Sequence, residues 1–292
     1  MRSKLILGTV QFGLHYGINN TIGKLREDQV FELLETAYEL GIRTLDTAEA
    51  YGNAHNIISN FHKQNEIKYK IITKYSPSNI EYPADLTSRI KAHCLNFNVD
   101  YLEGYMFHSF KDFESNICRD AKVLEKIKDS GLVHKLGVSV YSNAEIEELL
   151  NYKNIDLIQL PFNLFDNAHQ RKETLEKARN KNIEIHTRSA FLQGLFFKDV
   201  STLNDKFLTL KPHLEDLSLL SKNSNIAMVD LAINYPLSKS YINKVLIGVD
   251  SAQQLKSNIK ATENEFDKSI YEKIDCIQIK KSELLNPSNW KI

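Results

Sequence analysis

Four residues of this chain have the chemistry to move a proton. Asp46, Tyr51, Lys74 and His108 stand at or just past the ends of three successive apolar runs, Gly41–Leu45, Lys68–Thr73 and Tyr101–Phe107. An acid, a phenol, an amine and an imidazole delivered by consecutive strands form an acid–base set. Parallel strands closed into a barrel would bring all four to one mouth. Tyrosine ordinarily titrates at about 10, too high for an efficient acid at neutral pH. An adjacent ammonium favours phenolate, so Lys74, held charged by Asp46, is expected to lower the Tyr51 pKa. A neutral His108 is expected to donate a hydrogen bond to a carbonyl oxygen. Each residue alone has a plainer reading: a helix cap for Asp46, rim packing for Tyr51, a solvated strand end for Lys74 and a satisfied polar group for His108. Their joint placement favours the chemistry.

The elements that must position them alternate along the chain. Strands are predicted at Leu5–Gly8, Ile42–Asp46, Lys70–Lys74, Leu102–His108, Lys135–Ser139, Asp156–Leu160, Ile183–Thr187 and Lys244–Ile247. Helical periodicity marks Arg26–Leu40, Leu86–Phe97, Val123–Ser130, Ala144–Leu150, Gln170–Asn180 and Ile226–Tyr235. Ser142 with Glu145, and Ser251 with Gln254, match the capping box, in which two side chains cap exposed backbone donors reciprocally. Eight alternations without a linker predict an α/β fold, a (β/α)8 TIM barrel spanning residues 1–292 as one domain. Residues 192–222, after the seventh strand, read as a long active-site loop. Residues 264–292 read as a helical tail wrapping the barrel.

Bulk properties narrow the function. The 292 residues are 42% hydrophobic and 25% charged, enough apolar material for a core, and 37 basic residues balance 37 acidic ones. Nucleic-acid binding needs a basic surface, and no Lys/Arg-dense block exists, so no nucleic-acid partner is expected. No apolar run approaches the ~20 residues of a membrane span, and the N-terminus lacks a signal-peptide pattern. Cys94, Cys118 and Cys276 are too scattered for a disulfide framework or a CxxC metal pair. A cytoplasmic protein without a metal is expected, as a monomer or weak homo-oligomer.

The segments LDTAEAYGN, IITK and YMFHS resemble the catalytic segments of the aldo-keto reductases, and LGTVQFG, LGVSVYS, RSAFLQGLF and IGVDSAQQLKSN resemble further family segments in the right order. The resemblance covers nearly the whole chain; many members carry a β-hairpin that plugs the barrel floor, and since this chain enters its first strand at Lys4-Leu5 that hairpin is expected to be short or absent. It implies a (β/α)8 barrel binding NADPH, with Asp46, Tyr51, Lys74 and His108 as the catalytic tetrad. It implies nicotinamide contacts from Ser139 and Gln159, with Val140 where an Asn often follows the Ser. Arg188 stands where many members stack an aromatic ring on the nicotinamide. The resemblance assigns Gly194 and Leu195 to the pyrophosphate. Gly248, Ser251, Gln254 and Asn258 match the adenine side. NADP is the implied cofactor. Asp250, where relatives carry Lys or Arg, would repel a 2′-phosphate and accept from a 2′-hydroxyl, which opens the site to NAD.

A mouth lined by Phe12, His15, Tyr16, Phe110, Tyr141, Phe162, Phe165 and Phe191 would suit a small-molecule carbonyl substrate, sugar-derived or aromatic. Two other functions are compatible with the residues: a non-catalytic, cofactor-binding regulatory subunit, and a barrel aldolase using Lys74 as a Schiff-base amine.

Overall fold

In the computed structural model, which describes residues 2–290, eight parallel strands close into a barrel in chain order. They are β1 (Leu5–Gly8), β2 (Thr44–Asp46), β3 (Lys70–Tyr75), β4 (Leu102–Phe107), β5 (Val133–Ser139), β6 (Leu157–Pro161), β7 (Glu184–Arg188) and β8 (Lys244–Ile247). Each pairs in parallel with the next, and β8 returns to β1 through Leu5 opposite Val245 and Leu7 opposite Ile247. Strand parity divides the core. Ile6, Ile72, Met106, Leu157 and Leu246 form a small cluster inside the barrel. The alternate residues, such as Leu7, Leu45, Ile71 and Tyr105, belong to the large core outside it. At the N-terminal strand ends Lys135 bridges Glu103 at 3.0 Å and Glu184 at 2.7 Å, so that end is closed by charges.

Twelve α-helices follow in chain order: α1 (Val10–Gly13), α2 (Glu27–Glu39), α3 (Ala54–Gln64), α4 (Leu86–Phe97), α5 (Phe110–Arg119), α6 (Val123–Asp129), α7 (Asn143–Leu149), α8 (Ala168–Asn180), α9 (Lys211–Ser224), α10 (Met228–Ser238), α11 (Ala252–Ala261) and α12 (Lys268–Asp275). Four of them, α1, α3, α5 and α9, lie outside the predicted helical segments. In α3 the buried face includes His55, Ser59 and His62, and these polar residues break the apolar period that periodicity detects. Residues 192–222 are not one irregular loop. Three 3-10 turns lead into α9, whose Leu214 and Leu217 are buried. Pro212, which reads as a helix breaker, sits in the first turn of α9, where its missing N–H removes no helical bond.

The Ser142 box forms in full, whereas the Ser251 box is half formed. Gln254 Oε1 accepts from the Asp250 N–H at 2.6 Å and not from that of Ser251. The tail packs through α12 and two 3-10 turns up to Trp290, and its last two residues lie outside those described. No described helix is long and apolar enough to cross a membrane.

The first loop of the barrel mouth meets the second at a glycine. A Cβ on Gly13, the last residue of α1, would lie 1.7 Å from the Tyr51 carbonyl oxygen. That oxygen already accepts from the Ala54 N–H, which starts α3, so it has little freedom to move away. Gly13→Ala is therefore expected to destabilise the fold by about 2–3 kcal/mol through overpacking. Urea denaturation of the two proteins measures this, and equal midpoints would contradict the packing described.

Candidate active site

β2 ends on Asp46, whose buried carboxylate takes two donors. Lys74 Nζ, from β3, donates to Oδ1, and Gln159 Nε2, from β6, donates to Oδ2 at 2.8 Å. Lys74 is only 1% exposed, and its ammonium also donates to the Thr47 carbonyl at 3.2 Å. Two charges at this depth lose most of their hydration, so these extra bonds are what make the pair tolerable. Tyr51 lies above it, its ring centroid 5.7 Å from Lys74 Nζ. His108, one residue past β4, meets the Tyr51 ring edge-on with centroids 5.8 Å apart. The four residues predicted from strand ends thus share one mouth.

The Tyr51 phenol does not behave as expected. Burial, and then the Asp46 carboxylate, raise its pKa, with only Arg188 opposing among the principal influences. Lys74 directs its ammonium at Asp46, and no phenol–ammonium hydrogen bond is present to favour phenolate. Tyr51 is therefore a phenol, holding its proton, at neutral pH. Burial lowers the Lys74 pKa, against the opposing pull of Asp46. Burial, reinforced by the Lys74 charge, pushes His108 down to about 4, so its imidazole is neutral at pH 7.

The residues assigned to a dinucleotide fall into two groups. Ser139, at the end of β5, and Gln159, in the middle of β6, are in register and buried, with Val140 buried just beyond β5. Gln159 Oε1 is a buried acceptor with no partner. The Arg188 guanidinium lies over the Tyr141 ring at 4.3 Å. Gly194 sits at φ +94°, held by Asn19, whose side-chain amide donates to its carbonyl at 2.6 Å. Leu195 turns its side chain into the core and leaves only its backbone for a ligand.

On the other side, Gly248 follows β8 and faces the Gln11 side chain. Ser251 caps α11 by accepting from the Gln254 N–H at 3.1 Å. Asn258 is buried with its Nδ2 unpartnered, as are Asp250 Oδ1 and Gln11 Oε1. Buried polar atoms without partners are costly and uncommon. Four of them, three around the capped start of α11 and one beside the Asp46–Lys74 pair, fit a ligand with amide, hydroxyl and phosphate groups.

Sequence reasoning missed Gln11, and it missed Glu49 inside the TAEAY segment, a buried carboxylate bound to Arg89 and His93. Its neighbours do not mark it, since Ala48 is buried and Ala50 exposed. Three of the expected mouth aromatics are not at the mouth. Phe12, Phe162 and Phe165 are fully buried, Phe162 stacked on Tyr235 and Phe165 edge-on to Phe196. All three belong to the large apolar core, where burial of a phenyl ring is favourable. Phe110, Phe191 and Tyr141 stay partly exposed. Among the described residues no His, Cys, Asp and Glu cluster is arranged to hold a metal ion.

Comparison with known proteins agrees with this geometry. The NADH-specific methylglyoxal reductase of Escherichia coli is 22% identical over 89% of this chain and 89% of its own length. An uncharacterized oxidoreductase of Bacillus subtilis is 23% identical over 80% of this chain and 82% of its own. Among solved structures, an aldo-keto reductase from Bacillus halodurans in holo form superposes with a TM-score of 0.74 at 18% identity, over 96% of this chain and 94% of that one. The glycerol dehydrogenase of Gluconobacter oxydans superposes with a TM-score of 0.71 at 19% identity, over 94% and 90%. The sequence profile of the aldo/keto reductase family matches residues 4–279, and the chain belongs to that family.

Proposed function

We propose that the chain reduces a small aldehyde or ketone to the alcohol with NAD(P)H, and that Tyr51 supplies the proton. The observation that carries this reading is the buried Asp46–Lys74 pair with the Tyr51 and His108 rings packed above it. The cofactor supplies hydride to the carbonyl carbon. Ser139 and Gln159 would hold its carboxamide, and the α11 start its phosphates. Tyr51 enters as the neutral phenol and donates to the oxygen as charge develops there. The Lys74 ammonium stabilises the phenolate left behind, and Asp46 holds that ammonium in place. His108, a neutral imidazole at pH 7 with one ring N–H, orients the carbonyl by donating a hydrogen bond. A phenol that keeps its proton until the substrate oxygen becomes the stronger base matches this order of events.

The cofactor reading turns on Asp250. Its buried, unpartnered Oδ1 supports acceptance of a ribose 2′-hydroxyl and opposes a 2′-phosphate, so NADH is the favoured form although NADPH is the family expectation. The NADH specificity of the Escherichia coli relative is in keeping with that. A sugar-derived carbonyl remains the substrate class that the partly polar, partly aromatic mouth suits best.

Tyr51→Phe is expected to lower kcat by about 10²–10⁴-fold, the usual worth of a positioned acid, with cofactor affinity within about threefold. Retained turnover would remove Tyr51 from the role. Unaltered cofactor binding with no turnover in the wild type on a broad carbonyl panel would favour a regulatory subunit instead. Fluorescence titration should show tighter binding of NADH than of NADPH, with Asp250→Ser narrowing the difference by about tenfold, the equivalent of ~1.4 kcal/mol. A wild-type preference for NADPH would refute the Asp250 reading.

His108 also predicts a pH effect. Its folded pKa of about 4 lies below the unfolded value, so the unfolded chain takes up the proton first as pH falls. The stability tied to its neutral form is complete above about 6.5 and is lost between there and about 4. His108→Gln should flatten that part of a stability-versus-pH curve, and an unchanged slope would contradict the burial argument.

A further inference from the structure

The loop from β2 to α3 carries Tyr51, and it contains a second buried ionisable group that takes no part in proton transfer. Glu49 is 5% exposed and its carboxylate collects five hydrogen bonds. Oε1 accepts from Arg89 Nε at 2.8 Å, from His93 Nε2 at 2.8 Å and from the Tyr105 hydroxyl at 3.3 Å. Oε2 accepts from Arg89 Nη2 at 2.6 Å and from the Ser76 N–H at 2.8 Å. Every donor lies outside the loop: Arg89 and His93 on α4, Tyr105 on β4, and Ser76 just past β3. Arg89 is itself locked, donating also to the carbonyls of Ser76 at 2.9 Å, Asn79 at 2.7 Å and Pro83 at 3.1 Å. The Glu49 backbone joins the same knot, its N–H donating to the Lys74 carbonyl at 3.1 Å and its carbonyl accepting from Asn79 Nδ2 at 3.3 Å.

Stability alone does not call for this arrangement. A buried ion pair is commonly no more stabilising than apolar residues of similar volume, because desolvation offsets the attraction. What a bidentate guanidinium–carboxylate pair adds is direction, since its two parallel bonds fix both partners in one plane. Tyr51 is two residues from Glu49, joined by a tight turn in which the Tyr51 N–H donates to the Ala48 carbonyl at 3.0 Å. A small rotation at Glu49 therefore swings the phenol. From the opposite side the loop abuts Gly13, which leaves no room for a Cβ. The loop is gripped between a steric stop and an ionic anchor.

We infer that Glu49 is a positioning residue for Tyr51, with Arg89 and His93 as its anchor on α4. The inference rests on the reading of Tyr51 as proton donor. The knot holds the phenol over Lys74 and beside His108, and loosening it costs rate through misplacement, not through loss of a proton-transferring group. Misplacement of a reacting group by about 1 Å can cost on the order of 10²-fold in rate.

The test pairs kinetics with hydrogen exchange on the full-length protein. Glu49→Gln is expected to lower kcat by about 10–100-fold, with cofactor affinity within about threefold, and to speed amide exchange in residues 47–53. In a Tyr51→Phe background the same substitution should change the residual rate by less than about twofold, since groups acting as one unit are non-additive. Equal proportional losses in both backgrounds, or unchanged kcat and exchange in a folded variant, would overturn the inference. Should Glu49→Gln not fold, Arg89→Lys is judged by the same criteria, because it keeps the charge and loses the planar fork. If the wild type reduces no carbonyl, the proposed function fails, while exchange in residues 47–53 still decides whether the knot holds the loop.

Discussion

The arrangement of the mouth depends on one buried ion pair. Lys74 and Asp46 are almost wholly removed from water, and each would be strongly destabilising alone. They are viable because β2, β3 and β6 are held at fixed spacing by the closed barrel, which delivers Gln159 and the Thr47 carbonyl to complete the pair. The barrel is thus a device for holding two charges at a distance and depth that a less rigid scaffold could not maintain. Around them the other polar groups sort by what the pair does to them. Its cation helps keep His108 neutral, and its anion helps keep Tyr51 protonated.

This sorting changes how the acid should be pictured. Strand-end chemistry pointed to a tyrosine whose pKa an adjacent lysine lowers in advance. In the structure burial first, and then the Asp46 carboxylate, favour the protonated phenol, while the lysine faces that carboxylate. In the proposed reaction the driving force for proton release arises when charge appears on the substrate oxygen. Preorganised charge that acts on the transition state, and not on the resting group, is the more general form of electrostatic catalysis.

Much of the fold was legible because parallel strands buried on both faces leave short apolar runs, and each predicted strand falls within two residues of the observed one. The tetrad was legible for a related reason: Asp46, Lys74 and His108 are polar residues at places where strand ends open onto solvent or chemistry. The helices α3 and α9 were not legible. One buries two histidines in a face expected to be apolar, and the other starts with a proline that punctuates sequence but not structure. Glu49 was hidden for a similar reason, since its partners Arg89, His93 and Tyr105 are 40 to 56 residues away and come together only in the folded barrel. The unpaired atoms of Gln11 and Asn258 are likewise a property of packing, with no trace in residue type.

The account stands or falls on the charge of Asp46. Replacing it with Asn preserves shape and one acceptor while removing the carboxylate that fixes Lys74. The direct measurement is the single-turnover rate of hydride transfer, monitored by nicotinamide absorbance with the Asp46→Asn protein in excess over cofactor. A fall of about 10²-fold or more with cofactor affinity nearly unchanged is the predicted result. A rate equal to that of the wild type would show that the pair is structural and that the proton reaches the substrate by another route.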